Sequence, residues 1–317
     1  RDYPEAVCFY MDIFSTTCLD DFIIQFGQTV IGKLDNLSQK TLAAISGFFK
    51  SCRLVFSPDV LTGVPQATLD FQPSQAQATL KEIFDYLEHS GKECYIAIDE
   101  FQQITEYPEK GVEGLLRSYI QFLPHVHFIF SGSKQHLMAE MFTYPARPFY
   151  QSVTLMTLKP LDIEKYKEFA TTKFEEHNKH LDTAIIKELF TRFDGITSYI
   201  QRVMNVLFLK TPEQGTFTLD MVDDAINYNL NMASDTYETL LRQMPEKQRN
   251  VFIAISAEGE ARSVKSGAFA KKYHLLSPSS VNSALKGLLE KDFITQQDDA
   301  YVVYDKFFDL WLKKYMK

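Results

Sequence analysis

The 317-residue sequence predicts an α/β core built on a parallel sheet, then an all-α segment, then helices closed by a β-hairpin. Three observations predict it. Short apolar runs alternate with amphipathic helical patterns up to about residue 158. From Pro160 to about Met232 only helical periodicity remains. From Ser234 onward a helix, a helix-turn-helix pattern and a short hairpin follow in that order.

Taken in order, Ala6 to Ile13 reads as a buried strand ending near Asp12. Leu19, Phe22, Ile23, Phe26, Val30, Ile31 and Leu34 then share one face of a helix, with Thr16 or Thr17 available as its cap. A second helix is expected from about Ser38 to Lys50. Leu54 to Pro58 and Ala67 to Phe71 flank Thr62-Gly63 and read as a hairpin. Ser74 to His89 is helical, with Leu80, Ile83, Phe84 and Leu87 on one side. The run Cys94 to Ile98 is the central buried strand, Gly111 to Leu123 another helix, and Val126 to Phe130 a further strand ending in Ser131-Gly132-Ser133. Gln151 to Leu158 is a third candidate strand after these, and the whole sheet is expected to be covered on both faces.

Four helices are expected in the middle segment: Leu161-Asp162 to Asn178, Asp182 to Phe193, Ser198 to Leu209, and Leu219 to Leu230. In the last segment, Tyr237 to Ser256 holds one or two helices, Ser266 to Tyr273 a short one, and Ser279 to Lys291 another with Val281, Leu285, Leu288 and Leu289 inward. Phe293 to Thr295 and Tyr301 to Tyr304 form strands around Gln297-Asp298-Asp299-Ala300, which completes a winged helix-turn-helix. The expected parts are therefore residues 1–158, 159–233 and 234–317.

With 45% hydrophobic and 23% charged residues the chain is globular. Cys8, Cys18, Cys52 and Cys94 show no paired or metal-ligand spacing, so a reducing cytoplasm is the expected setting. No apolar run approaches the ~18 residues that a membrane helix needs. The net charge of −8 is uneven: from Ser234 onward 13 Lys and Arg face 11 Asp and Glu, so the body is acidic and the C-terminal part slightly basic.

The chemistry concentrates where the central strand meets Asp99-Glu100. Ligands of open parallel sheets sit beyond the carboxyl ends of the strands. There Asp99 can hold Mg²⁺ through water, and Glu100 can orient or deprotonate a water attacking a γ-phosphate. The same pair also suits a helix N-terminus with an acidic first turn. A glycine-rich phosphate loop is matched only by Gly27 to Leu34. Leu34 there replaces the Ser or Thr that would hold Mg²⁺, and the match lies inside a helical pattern.

A strand ending in Asp-Glu, a helix, and a strand ending in Ser-Gly-Ser together resemble the core of the additional-strand (ASCE) P-loop ATPases. Within that group the chain looks most like the archaeal-type ATPase family, close to the AAA+ and STAND ATPases. Ile96 to Phe101 resembles the Walker B motif, and Phe128 to Ser133 the sensor 1 strand. Met141 to Tyr150 resembles the stretch after sensor 1, although the family often has its Arg after the Tyr, where this chain has Gln151-Ser152. Gly195 to Gln201 resembles a Gly-x-Pro-x-Tyr-Leu-Gln lid motif, with Thr197 and Ser198 where Pro is common. Tyr304 to Leu312 resembles the end of the family's winged helix.

The resemblance implies a P-loop NTPase-like core, a helical lid domain and a winged helix. It further implies an ATP and Mg²⁺ site in which Asp99 binds the metal, Glu100 polarises water, and Ser131 or Ser133 bonds the γ-phosphate or that water. Arg147 would stabilise charge on the transferred phosphoryl group, and Tyr199 and Gln201 would contact the nucleotide. In that family the phosphate loop precedes the first strand seen here, so the chain is expected to be N-terminally truncated. The function expected is an ATP-hydrolysing switch that moves the winged helix against a protein partner, with DNA as the other possible partner. The competing class is a non-catalytic regulator. Ser279, Ser280, Asn282, Ser283 and Lys286, with Lys271 and Lys272 before them, could touch phosphates, but the acidic wing Gln296 to Asp299 would repel DNA.

Overall fold

The computed structural model describes residues 6–34, 45–58 and 65–316. The chain forms two compact units, Arg1–Met156 and Thr157–Lys317. In the first, the order is β1 (Val7–Asp12), α1 (Leu19–Leu34), β2 (Arg53–Pro58), β3 (Pro65–Asp70), α2 (Ala76–His89), β4 (Cys94–Asp99), α3 (Val112–Ile120), β5 (Val126–Phe130) and α4 (Gln135–Thr143). Strands β1, β4 and β5 pair in parallel in that order, with Asp12 opposite Asp99 and Ile98 opposite Phe130. Strands β2 and β3 form the expected hairpin. Its turn at Thr62-Gly63 and residues 38–44 of the expected second helix lie outside the described residues, while residues 45–48 are helical.

The pleat sends Phe9, Met11, Cys94, Ile96, Ile98 and Val126 to one face, where they join the buried side chains of α1, α2 and α3 in a single core. The opposite face is open among the described residues, with Tyr10 64% and Ile129 54% exposed. This corrects the expectation of a sheet covered on both faces. The strand order advances in one direction only, and right-handed crossovers that all step the same way lay their helices on the same side.

A second correction concerns Gln151 to Leu158, which forms no strand. A strand needs a neighbour to satisfy its backbone, and the outer edge of β5 pairs with no described strand. Leu155 and Met156 of this run are left exposed, Met156 by 85%.

Gly27 of the near-match loop lies buried in α1, as the helical pattern implied. A Cβ there would stand 1.8 Å from Leu69 Cδ1 and 3.2 Å from Ile83 Cδ1, so this glycine lets the helix approach the hairpin. Gly27→Val is therefore expected to destabilise the protein by about 1–3 kcal/mol through overpacking. A urea titration measures this, and an unchanged midpoint would contradict it. The expected cap also differs: Thr17 donates its N–H and hydroxyl to Asp21 Oδ2, at 2.8 and 2.7 Å, rather than accepting from the helix.

The second unit contains α5 (Ile163–Glu175), β6 (His180–Leu181), α6 (Ala184–Arg192), α7 (Thr197–Lys210), β7 (Thr216–Phe217), α8 (Met221–Gln243), α9 (Glu246–Glu258), β8 (Ala261–Arg262), α10 (Gly267–Lys272), α11 (Pro278–Glu290), β9 (Ile294–Gln297), β10 (Ala300–Val303) and α12 (Lys306–Tyr315). One apolar cluster reaches from Tyr166 to Leu312. The division expected between residues 233 and 234 falls inside α8, a 23-residue helix. Helix α12 lies antiparallel along it: Tyr315 meets Asn231, Trp311 meets Ser234, and Phe308 stacks on Tyr237 at 4.4 Å. Residues from α8 to α12 form the helix-turn-helix and its three-stranded sheet, ordered β8-β10-β9.

Candidate active site

The central strand β4 ends at Asp99, and the tips of the three parallel strands are tied together there. Ile13 N–H donates to Asp99 O at 3.2 Å, Ser131 N–H to Ile98 O at 3.0 Å, and Phe101 N–H to Ser131 O at 2.9 Å. Phe101 is fully buried, stacked on Phe130 at 4.1 Å and edge-on to Phe149. The chain therefore turns sharply between the strand and this anchor, and Glu100 takes the left-handed conformation, φ 54° and ψ 38°. For a residue other than glycine that backbone costs of order 1–3 kcal/mol and persists only where its surroundings impose it. Glu100 stands at the N-cap of the short 3-10 helix Phe101–Glu106 but makes no side-chain capping bond, so the helix-terminus reading fits its position and not its hydrogen bonds.

The two carboxylates have separate partners. Asp99 Oδ1 accepts from Ser131 Oγ at 2.7 Å and from Glu100 N–H at 3.0 Å, and its Oδ2 accepts from Tyr10 OH at 3.0 Å. The Ser131 bond is the main cause that holds the Asp99 carboxyl below the usual aspartate range, aided by Tyr10 and the Glu100 amide and opposed by slight burial. The Tyr10 phenol is correspondingly raised by its bond to Asp99. Because Asp99 has a lower pKa folded than unfolded, its ionised form favours the fold. That contribution is present above the ordinary aspartate range and fades as acidification passes through the folded value. Ser131→Ala is expected to move the Asp99 pKa upward, read by carboxyl NMR titration; an unmoved titration would contradict the assignment.

Glu100 presents one oxygen to the protein. Its Oε2 accepts from Ser133 Oγ at 2.8 Å, from Ser133 N–H at 3.4 Å and from Gln102 Nε2. Thus Asp99, Glu100, Ser131 and Ser133 stand together. Tyr10 and Gln102 join them and escaped the sequence reading. Tyr10 arrives by strand pairing across 89 residues, and Gln102 is one of two adjacent glutamines after Phe101 with no motif to mark it.

Arg147 is engaged elsewhere. Its Nη2 lies 3.2 Å from Glu113 Oε1 and its Nε 3.7 Å from Glu140 Oε1. Burial pushes the Glu113 carboxyl up, and Arg147 offsets part of that rise. Tyr199 and Gln201 belong to the second unit. Tyr199 stacks on Phe193 and meets Phe307 edge-on, while Gln201 is exposed.

Among the described residues no three His, Cys, Asp or Glu side chains gather to cage a metal ion. The donor set at Asp99, one ionised carboxylate beside hydroxyls, fits a hydrated cation whose other ligands come with a substrate. Cys8, Cys18, Cys52 and Cys94 are all free thiols. No helix of the described residues is long and apolar enough to cross a membrane.

Residues 235–314 match the family described as a probable winged helix domain. No curated protein matches the chain. Among solved structures it is similar to a Walker-type ATPase of Pyrococcus abyssi, with 19% identity and a TM-score of 0.61, covering 97% of this chain and 84% of the other. It is also similar to the ORC2 protein of Aeropyrum pernix, solved as ADPNP and ADP complexes, with 12% identity and a TM-score of 0.51 over 98% and 79% of the two chains. These likenesses give the chain the fold of those two proteins, a parallel α/β core followed by helices, and the family match places a winged helix at its C-terminal end.

Proposed function

We propose that the protein binds Mg-ATP and hydrolyses it, and that turnover changes how its winged helix meets a partner. The observation that carries this reading is the pair of neighbouring carboxylates at the tip of the central parallel strand, each with its own hydrogen-bond set. Asp99, kept ionised, would hold Mg²⁺ through water, and the cation would neutralise charge on the phosphates. Glu100 orients the attacking water. Ser131 fixes Asp99, and Ser133 fixes Glu100 beside the γ-phosphate. Arg147 would have to leave Glu113 to reach a phosphoryl group, and Tyr199 and Gln201 are assigned to nucleotide contact by resemblance alone.

The reading requires a glycine-rich phosphate loop, and residues 1–317 supply none. A strand added in parallel to the open edge of β5 would end beside Ser131 to Ser133, and a loop after it would face Asp99 and Glu100. The direct test is Mg²⁺-dependent ATP hydrolysis by the full-length protein. No turnover above a metal-free control would remove the reading and favour a non-catalytic regulator.

For the winged helix, a protein partner is favoured over DNA. Lys272 is paired with Glu258 at 2.5 Å and Lys286 lies 3.8 Å from Glu290, which reduces the positive charge available to phosphates. The wing carries Asp298 and Asp299, of which, among the described residues, only Asp299 is met by a basic side chain, Arg262 at 3.0 Å. A mobility shift at low salt that weakens steeply with added salt would reverse this preference. The free thiols and the lack of a spanning helix among the described residues fit a cytoplasmic setting.

A further inference from the structure

We propose that Gln102 is a positioning residue that clamps one oxygen of Glu100 so that the other is presented to the attacking water; this rests on the hydrolase reading above. All three donors to the Glu100 carboxylate, Gln102 Nε2 and the Ser133 hydroxyl and amide, converge on Oε2. Oε1 has no partner among the described residues. One oxygen is thus held by the protein and the other is left to accept from solvent or substrate water, which is the division a general base needs.

Three features assign the clamp to Gln102 itself. Its side chain is 3% exposed, so the amide has few rotamers open to it. Its orientation is dictated by Glu100, because the flipped amide would set a carbonyl oxygen against a carboxylate. The opposite end, Oε1, is buried without a hydrogen-bond partner. An unpaired buried acceptor opposes folding, so the amide contributes to the site through its donor end.

Gly132 makes room for it. A Cβ at residue 132 would stand 2.0 Å from Gln102 Oε1 and 2.9 Å from Met138 Sδ. The glycine between the two serines is therefore part of the same device. A side chain there would drive Gln102 off Glu100 while leaving Ser131 and Ser133 in the sequence. The left-handed backbone at Glu100 is what turns its carboxylate toward Gln102 and Ser133.

Gln102→Met keeps the side-chain volume and removes the donor; Gly132→Ala keeps the donor and displaces it. Both are expected to lower kcat for ATP in the full-length protein by about 10- to 100-fold, the scale of a misplaced catalytic group. Affinity for a non-hydrolysable ATP analogue with Mg²⁺ should stay within about twofold of wild type, because neither residue is asked to bind nucleotide. Unchanged kcat in Gln102→Met, or a loss shared equally with analogue affinity, would overturn the proposal. Crystals of Gln102→Met supply a readout independent of turnover: Glu100 Oε2 should leave Ser133 Oγ, now 2.8 Å away, and an unmoved carboxylate would overturn the clamp. If the wild-type protein shows no hydrolysis, the hydrolase reading falls, and the position of Glu100 in those crystals still decides the clamp.

Discussion

Glu100→Gln, made in the full-length protein, is expected to bind Mg-ATP as wild type does and to lose turnover by about 100- to 10,000-fold, the contribution of a positioned general base. The substitution is chosen for its fit. The new side-chain oxygen can occupy the place of Oε2 and accept from Ser133 and Gln102, while the amide nitrogen takes the place of Oε1. The carboxylate charge is lost and the shape of the site is kept. Asp99 keeps its three donors, so the cation side of the site is untouched. Single-turnover hydrolysis together with equilibrium nucleotide binding separates the two effects. Turnover within about threefold of wild type would reject Glu100 as the residue that handles the water.

Trp311→Ala is expected to destabilise the second unit by about 3–5 kcal/mol, the range for truncating a large buried aromatic. Trp311 is 1% exposed and donates its indole N–H to Ser234 Oγ at 2.9 Å. It lies between Phe308 and Tyr315 on its own helix and against Tyr237 of α8. Its removal opens a cavity at the seam where α12 is fastened to α8. It is also the sole tryptophan, so wild-type unfolding can be followed by fluorescence and the variant by circular dichroism. A loss below about 1 kcal/mol would mean that the seam does not hold the unit together.

Much of the first unit was legible because buried strands and helix faces carry strong apolar periodicity. Phe9, Met11, Ile96 and Ile98 are apolar for the same reason that they are buried. The place of Asp99 and Glu100 at a strand tip was legible because two carboxylates follow directly on an apolar run. The near-match loop was correctly set aside, since its Gly27 serves packing in α1. What the sequence hid was relational. Tyr10 reaches Asp99 only because β1 lies beside β4, and Gln102 reaches Glu100 across the turn that opens on the left-handed Glu100. The run from Gln151 to Leu158 has the composition of a strand and no strand beside it, and pairing decides that question rather than composition. Helix α8 was read as two pieces because residues 231–236 carry no buried side chain to continue the stripe. Tertiary contacts from α12 carry the helix across that gap.

That uninterrupted helix has a mechanical consequence. Its 23 residues make a rod of about 35 Å at ~1.5 Å per residue, and α12 is bolted along its middle like a splint. A pivot of about 10° at the Met221 end would sweep the Gln243 end through about 6 Å on that length. Within α8 itself no turn or break interrupts the rise from Met221 to Gln243, so its two ends would move as one piece.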